Sequence, residues 1–231
     1  MLSSFSKRTD ALELIDGPLD SEAELRKSFR DIAMANRWFG GTAAVKCALR
    51  DVEAATIVDV ASGIADIPAA LVRSARRHGN KLQITCLDNN PMLLNYARER
   101  YAGDSALSFV QGNATVLPFD EGAFDVAMCN LALHHFDPPS AIALLAELRR
   151  VSRITPVVTD LQRSRLAYTA VFAFTRVFTL NRLTRHDGPL SARRAYTPGE
   201  AIELARKAGW TEPSVRNCGV IRMVLRDESG I

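Results

Sequence analysis

The sequence predicts a doubly wound, mostly parallel α/β sheet, preceded by helices and interrupted by a helical insertion. Three observations carry that expectation. From about residue 55 onward, short β-branched runs alternate with helical stretches, as parallel strands joined by crossover helices require. Runs such as Ile57–Val58 and Val126–Ala127–Met128 are apolar without a break, which suits strands covered on both faces. At 231 residues the chain is long enough to bury the core of one such sheet.

The elements follow in order. Before the sheet, Ser21–Glu22–Ala23–Glu24 has the form of a helix start with Asp20 or Ser21 as N-cap. Gly40–Gly41 breaks the chain, and a short second helix runs from about Thr42 to Leu49. The strand candidates are Ala55–Ala61, Leu82–Asp88, Leu107–Gln111, Phe124–Asn130 and Pro156–Leu161. Between them lie helices near Ile67–His78, Met92–Tyr101 and Ser140–Ser152. A later helix, Pro198–Ala208, has Thr197 as N-cap and stops at Gly209. The tail, Ser214–Asn217 and Ile221–Arg226, reads as a closing hairpin turned at Gly219. The boundaries expected are an N-terminal helical cap over 1–54 and an α/β domain over 55–231, with a lid insertion at 163–195. That insertion begins with an aromatic-rich helix (Tyr168, Phe172, Phe174, Phe178) and ends in a polar loop, Arg185–His186–Asp187–Gly188–Pro189. Insertions there lie outside the carboxyl ends of the strands, where open α/β sheets bind ligands.

Composition excludes more than it assigns. The chain is 47% hydrophobic and 24% charged, with a formal net charge of +3, so no strong general pull toward nucleic acid or membrane is expected. The one local excess runs from Arg163 to Arg194, where seven arginines accompany a single acid, Asp187. The four cysteines show no C-x-x-C pairing and read as buried free thiols suited to a reducing cytoplasm. No metal site and no membrane span are expected, and a homodimer is admitted.

The chemistry is expected at the strand ends. The first strand exits through Asp59–Val60–Ala61–Ser62–Gly63–Ile64–Ala65–Asp66, a small-residue turn that lets backbone approach a bound nucleoside or amino-acid moiety. The second closes on Asp88–Asn89, where a carboxylate can accept from both ribose hydroxyls. Taken singly, Gly63 is equally well a tight turn and Asp88 a helix cap before Pro91. Gln111–Gly112–Asn113–Ala114 ends the third strand, placing a side-chain amide where an adenine amino group could be received.

In order and spacing these motifs resemble the class I S-adenosylmethionine-dependent methyltransferases, closest to the ubiquinone/menaquinone-biosynthesis-like small-molecule branch. The resemblance covers about Ala55 to Leu161. It is carried by Val58–Gly63, Leu87–Asp88, Gly112–Asn113–Ala114, Leu117–Pro118–Phe119, Phe124–Asp125–Val126 and Leu133–His134–His135–Phe136. It implies S-adenosylmethionine as cofactor. Asp59, Ala61 and Gly63 would surround its methionine part, Asp88 and Asn89 the ribose, Asn113 and Ala114 the adenine, and Asn130 with Leu131 the region near the sulfonium. Arg37, in Asn36–Arg37–Trp38–Phe39, could pair with the cofactor carboxylate, whereas Trp38 and Phe39 more often just dock a helix. The sequence departs from the family at the first loop, where Ala61 and Ala65 occupy the places of two of three alternating glycines, and alanine is penalised at positive φ. The Pro-Gly-Gly turn usual before the fifth strand is also absent.

Methyl transfer asks mainly for alignment of the acceptor, and a phenolic acceptor benefits in addition from a general base. His186, His134 and His135 are the candidates, although core packing at the strand end explains the last two more readily, and exposure on the lid loop the first. Tyr168 and Phe172 are expected to line the acceptor pocket. The expected function is methylation of a small molecule at a phenolic, quinol or polyketide-like hydroxyl, or at carbon. A non-catalytic protein of the same fold is the alternative. A NAD-dependent oxidoreductase fits less well, since G-x-G-x-x-G and Tyr-x-x-x-Lys are both missing.

Overall fold

The computed structural model describes residues 5, 7–14, 22–38, 40–219 and 221–230, with the side chains of 22–26, 32, 37 and 230 left aside. Seven strands form one sheet in the order β3-β2-β1-β4-β5-β7-β6. β1 (Thr56–Val60), β2 (Gln83–Asp88), β3 (Leu107–Gln111), β4 (Phe124–Asn130) and β5 (Ser152–Leu161) are parallel. β7 (Arg222–Asp227) runs antiparallel to β5, and β6 (Pro213–Cys218) pairs antiparallel with β7. The strand order reverses between β1 and β4, so a crevice opens beyond their carboxyl ends, where such sheets bind ligands.

The helices fall close to their expected places, for local reasons. α1 (Glu22–Trp38) and α2 (Gly41–Ala48) precede the sheet, and the expected cap of α1 at Asp20 or Ser21 lies outside the described residues. α3 (Asp66–Arg77) starts directly after the β1 loop. α4 (Pro91–Arg100) is capped by Asn90, whose side chain accepts from the Met92 N–H at 2.9 Å, with Pro91 supplying a helical φ at the first position. The cap beside Pro91 is therefore Asn90, which leaves Asp88 for other work. α5 (Pro138–Val151) is capped by Asp137, and α8 (Pro198–Lys207) by a full capping box between Thr197 and Glu200. β5 begins immediately after α5, four residues earlier than the apolar run suggested, with a register irregularity against β4 between Phe124 and Val126.

The sheet is buried on both faces. Val58, Val60, Ala127, Cys129 and Val158 meet α5 and α8 on one side; Ile57, Ile84, Cys86, Val126, Met128 and Val157 meet α2, α3 and α4 on the other. Cys86 and Cys129 are thus core thiols as expected, whereas Cys47 is exposed. Among the described residues no helix is long and apolar enough to cross a membrane.

The insertion after β5 corrects the sequence reading. It is two packed helices, α6 (Arg165–Phe178) and α7 (Arg182–Arg194), and the expected loop at 185–189 is the middle of α7. Gly188 is there for packing: a Cβ at this position would sit 2.9 Å from Thr175 Cγ2 and 3.2 Å from Val171 Cγ1, both on α6. Pro189 follows without ending the helix.

Candidate active site

The β1 exit is a strained loop held by a carboxylate. Ala61 and Ala65 have φ of 57° and 56°, in the left-handed region that costs an L-residue roughly 1–2 kcal/mol. Gly63, at φ 54°, takes the same conformation without that cost. Asp88, at the end of β2, pulls the loop in: its Oδ2 accepts from the Gly63 N–H at 2.8 Å and its Oδ1 from the Asn90 N–H at 2.9 Å. Replacing Ala61, the less buried of the two alanines, with glycine relieves the positive φ but adds freedom to the unfolded chain. The net expectation is a gain of about 0.5–1 kcal/mol, read as a higher urea midpoint at unchanged m. A lower midpoint would show that the loop's geometry is not limiting.

Beyond this loop lies a cavity of about 400 Å³. Its walls include Asp59, Ala61, Gly63, Asp66, Asp88, Asn89, Asn130 and Leu131, so the sheet gathers at one place most of the residues expected around the cofactor. Asp59 is buried, and its Oδ1 accepts from Asn130 Nδ2 at 2.7 Å, while Thr159 Oγ1 donates to Asn130 Oδ1 at 2.8 Å. That chain fixes which way the Asn130 amide faces. Burial pushes the Asp59 carboxyl well above the usual range, outweighing the Asn130 bond, and nearby Asp66 and Asp88 push it further. Burial raises Asp88 too, against its backbone N–H bonds.

Asn113 and Ala114 are not among the residues lining this cavity. Asn113 is exposed, and its Oδ1 accepts from the Thr115 N–H at 3.0 Å and Thr115 Oγ1 at 2.9 Å, closing a local turn. The side chain of Arg37 lies outside the described residues.

A second cavity of about 210 Å³ adjoins the first, and the two share Asn36, Leu131 and His135. Leu131 holds φ at 54° just past β4, with its N–H donating to Thr159 O at 2.8 Å, an unfavourable conformation kept where the two spaces meet. Leu161, Val171, Phe174 and Ile221 make the second cavity largely apolar, and Glu13, His134, Asp187 and Arg222 add polar and ionisable groups. Tyr168 and Phe172, expected as lining residues, are not there; α6 turns Val171 and Phe174 inward instead.

His134 and His135 sit on a 3₁₀ turn, Leu133–His135, and not on the strand itself. Asp160, buried on β5, accepts the His134 backbone N–H at 2.9 Å and lies 2.8 Å from His134 Nδ1, an arrangement that fixes the ring and presents Nε2 to the cavity. Burial pushes the Asp160 carboxyl up, but His134 and two backbone N–H groups outweigh it and hold it below its ordinary value. Glu13 enters from the N-terminal segment, its Oε1 3.7 Å from His134 Nε2 and its Oε2 3.9 Å from His135 Nε2. Burial raises the Glu13 carboxyl, against the pull of His135, Ser191 and Arg194. One carboxylate and two imidazoles within 4.8 Å could hold an ion, yet Arg194 Nη1 already stands 3.8 Å from Glu13 Oε1 and supplies positive charge. His186, the other base candidate, is half exposed on α7, bonded to Asp187 at 2.8 Å, and does not line either cavity.

Glu13 and Asp160 are absent from the sequence-based candidates. Asp160 carried a signal, a carboxylate inside an apolar parallel strand, which is costly unless paired. Glu13 carried none: it arrives by tertiary placement, with the Leu14 N–H donating to Asp187 Oδ1 at 2.8 Å and Arg8 gripping the His134 and Phe136 carbonyls at 2.5 and 2.9 Å.

Residues 57–154 match the family model described as a methyltransferase domain. This stretch, less than half of the chain, is similar to methyltransferase domains. Among curated relatives, the demethylmenaquinone methyltransferase of Bacillus subtilis is 33% identical over 101 residues, 43% of this chain and 41% of that protein. The ubiquinone/menaquinone biosynthesis C-methyltransferase UbiE of Methylobacterium nodulans is 36% identical over 98 residues, 41% of this chain and 36% of that protein. The matched region thus spans less than half of either relative's length. Human N-acetylserotonin methyltransferase, solved with its S-adenosylmethionine, shares the fold over 100% of this chain and 65% of its own, at TM-score 0.66 and 17% identity.

Proposed function

We propose that this chain transfers a methyl group from S-adenosylmethionine to a hydroxyl of a small phenolic, quinol or polyketide-like acceptor seated in the smaller cavity. The observation that carries this reading is the pair of adjoining cavities, one rich in carboxylates and loop backbone, the other apolar with a buried His–Glu–Asp array at its wall.

The first cavity suits the cofactor in its donor chemistry. Asp59, Asp66 and Asp88 offer carboxylates to a ligand that carries positive charge and ribose hydroxyls, and the strained β1 loop brings backbone close. When bound, S-adenosylmethionine supplies an already activated methyl group, so the protein's task is to place the acceptor and manage one proton. His135, on the shared wall, is placed to take the acceptor's proton at Nε2. Glu13 Oε2, 3.9 Å away, would stabilise the charge that the imidazole gains. Asp160 anchors the neighbouring His134 and with it the turn that carries both rings. Burial pulls the Arg222 guanidinium down to about 10, which still leaves it cationic at neutral pH and able to favour an oxygen anion in the cavity. In this reading residues 1–54 and the insertion 163–195 select the acceptor, since they supply Glu13, Val171, Phe174 and Asp187 to its walls.

The names of the relatives favour a second reading, methylation at carbon, in which the same base removes a ring proton. The deciding experiment incubates the protein with methyl-labelled cofactor and a panel of phenolic, quinol and polyketide-like acceptors, then locates the label by NMR. Label on oxygen supports the proposal, and label on carbon replaces it with the second reading. Cofactor binding without transfer to any acceptor, or binding of NAD in its place, overturns both.

A further inference from the structure

α6 is apolar on two faces. Ala167, Val171 and Phe174 point into the protein, which accounts for one of them. A second stripe, Leu166, Ala170, Ala173 and Val177 at helical spacing, runs on to Phe178 at the helix end, with Leu166, Val177 and Phe178 exposed at 60%, 72% and 48%. Leu180, just past the helix, is 88% exposed, and Trp38 at the end of α1 is 64% exposed with its ring 5.3 Å from that of Phe178. Trp38, expected to dock its helix on the sheet, instead joins a surface patch. A helix with apolar residues all round is normally covered, and a contiguous patch of large side chains marks a contact surface.

Among the described residues, the charge carried by α6 and the start of α7 beside the patch is of one sign. Arg165 and Arg176 lie on α6, and Arg182 opens α7 two residues beyond Leu180, all three exposed. From Arg163 to His186 the chain contains no Asp or Glu. Among the described residues, Asp31 is a carboxylate at this corner; it lines the smaller cavity and accepts hydrogen bonds from the Thr179 and Thr184 hydroxyls. Apolar side chains ringed by arginine suit an interface that is greasy within and anionic at its rim. A two-fold contact with a second copy would set these arginines against their mates, which disfavours that occupant.

We propose that α6, with Trp38 and Leu180, docks the protein on an anionic lipid surface. The docked face borders the smaller cavity, because Phe174 lines both that cavity and a surface groove formed with Trp38, Val177 and Phe178. If the methyl-transfer reading holds, an acceptor dissolved in the lipid would reach the cavity from this side; docking itself does not depend on that reading.

The test uses the whole chain and vesicles of phosphatidylcholine, with or without phosphatidylglycerol. Trp38 is the exposed reporter, since Trp210 is buried with its indole N–H donating to Leu145 O at 2.9 Å. The expected result is co-sedimentation with phosphatidylglycerol vesicles, a blue shift of tryptophan emission, and weakening by high salt. The double variant Val177→Ser/Leu180→Ser, whose side chains are largely exposed, should fold and bind at least about tenfold more weakly, from the loss of two apolar contacts. No binding to anionic vesicles, or equal binding by the folded double variant, overturns the proposal. So does a dimer seen by analytical ultracentrifugation and lost in that variant, which would give the face to a second copy. Vesicle binding needs neither cofactor nor acceptor, so its failure leaves methyl transfer standing, and an inactive protein that binds vesicles leaves docking standing.

Discussion

Asp88→Ala is expected to weaken S-adenosylmethionine binding by about a hundredfold or more, measured by calorimetry on a variant shown to be folded. A charge-assisted hydrogen bond is worth about 1.5–3 kcal/mol, and two ribose hydroxyls would be lost together. The side chain has a second task, since its oxygens already hold the Gly63 and Asn90 N–H groups, so its removal also loosens the strained loop at Ala61 and Ala65. Asp88→Asn separates the two contributions: it keeps the shape and one acceptor oxygen, and should fall between wild type and alanine. Because burial raises the Asp88 pKa, protonation sets in at higher pH than for an ordinary aspartate. The donors of the ligand need the ionised form, so affinity should fall as pH drops through that raised value, with proton release on binding at the acid end. For folding the sign is reversed, since a raised carboxyl contributes stability at low pH that is lost as pH rises through its folded-state pKa. An unchanged dissociation constant in Asp88→Ala would remove this residue from the cofactor's site.

The part of the molecule governed by local pattern was legible in the sequence. The five parallel strands announce themselves by uninterrupted apolar runs, and the helix start at Thr197 by capping chemistry that acts within one turn. The cavity residues Asp59, Gly63, Asp88, Asn130 and Leu131 were legible for the same reason, since a strand end fixes where its next few residues must lie. What failed was reasoning from residues whose role is set across the fold. Gly188–Pro189 has the composition of a turn, but the glycine answers to Val171 and Thr175 on a neighbouring helix and the proline rides inside α7. The aromatic stripe of α6 named the helix correctly and its inward face wrongly, because Tyr168 and Phe172 differ from Val171 and Phe174 by one step around the helix. Glu13 reaches the histidines over more than a hundred residues of sequence, and no spacing rule connects them.

The histidines give the second large effect. His135→Ala is expected to lower turnover by roughly 10²–10⁴-fold while leaving the cofactor's dissociation constant within a few-fold, since a general base acts on the acceptor's proton. His134→Ala should also lose turnover, by a different route. Its ring is tied to Asp160 and lies tilted against that of His135, centroids 4.3 Å apart, so its loss displaces the base and leaves a buried carboxylate without its ring partner. That variant should melt at lower temperature as well, whereas His135→Ala, whose ring is partly exposed, should not. His186→Ala should turn over at nearly the wild-type rate, because its ring is half exposed on α7 and lines neither cavity. Glu13→Gln gives the test of charge: it keeps the size of the side chain but removes the negative oxygen 3.9 Å from His135 Nε2. An imidazolium formed during the reaction would then lack its counter-charge, so kcat should fall while the cofactor's dissociation constant stays within a few-fold. Wild-type turnover in His135→Ala, His134→Ala and Glu13→Gln together would show that placement of the acceptor alone carries the reaction. A loss confined to His186→Ala would move the base to α7, and would require that helix to turn its polar face into the cavity when the acceptor binds.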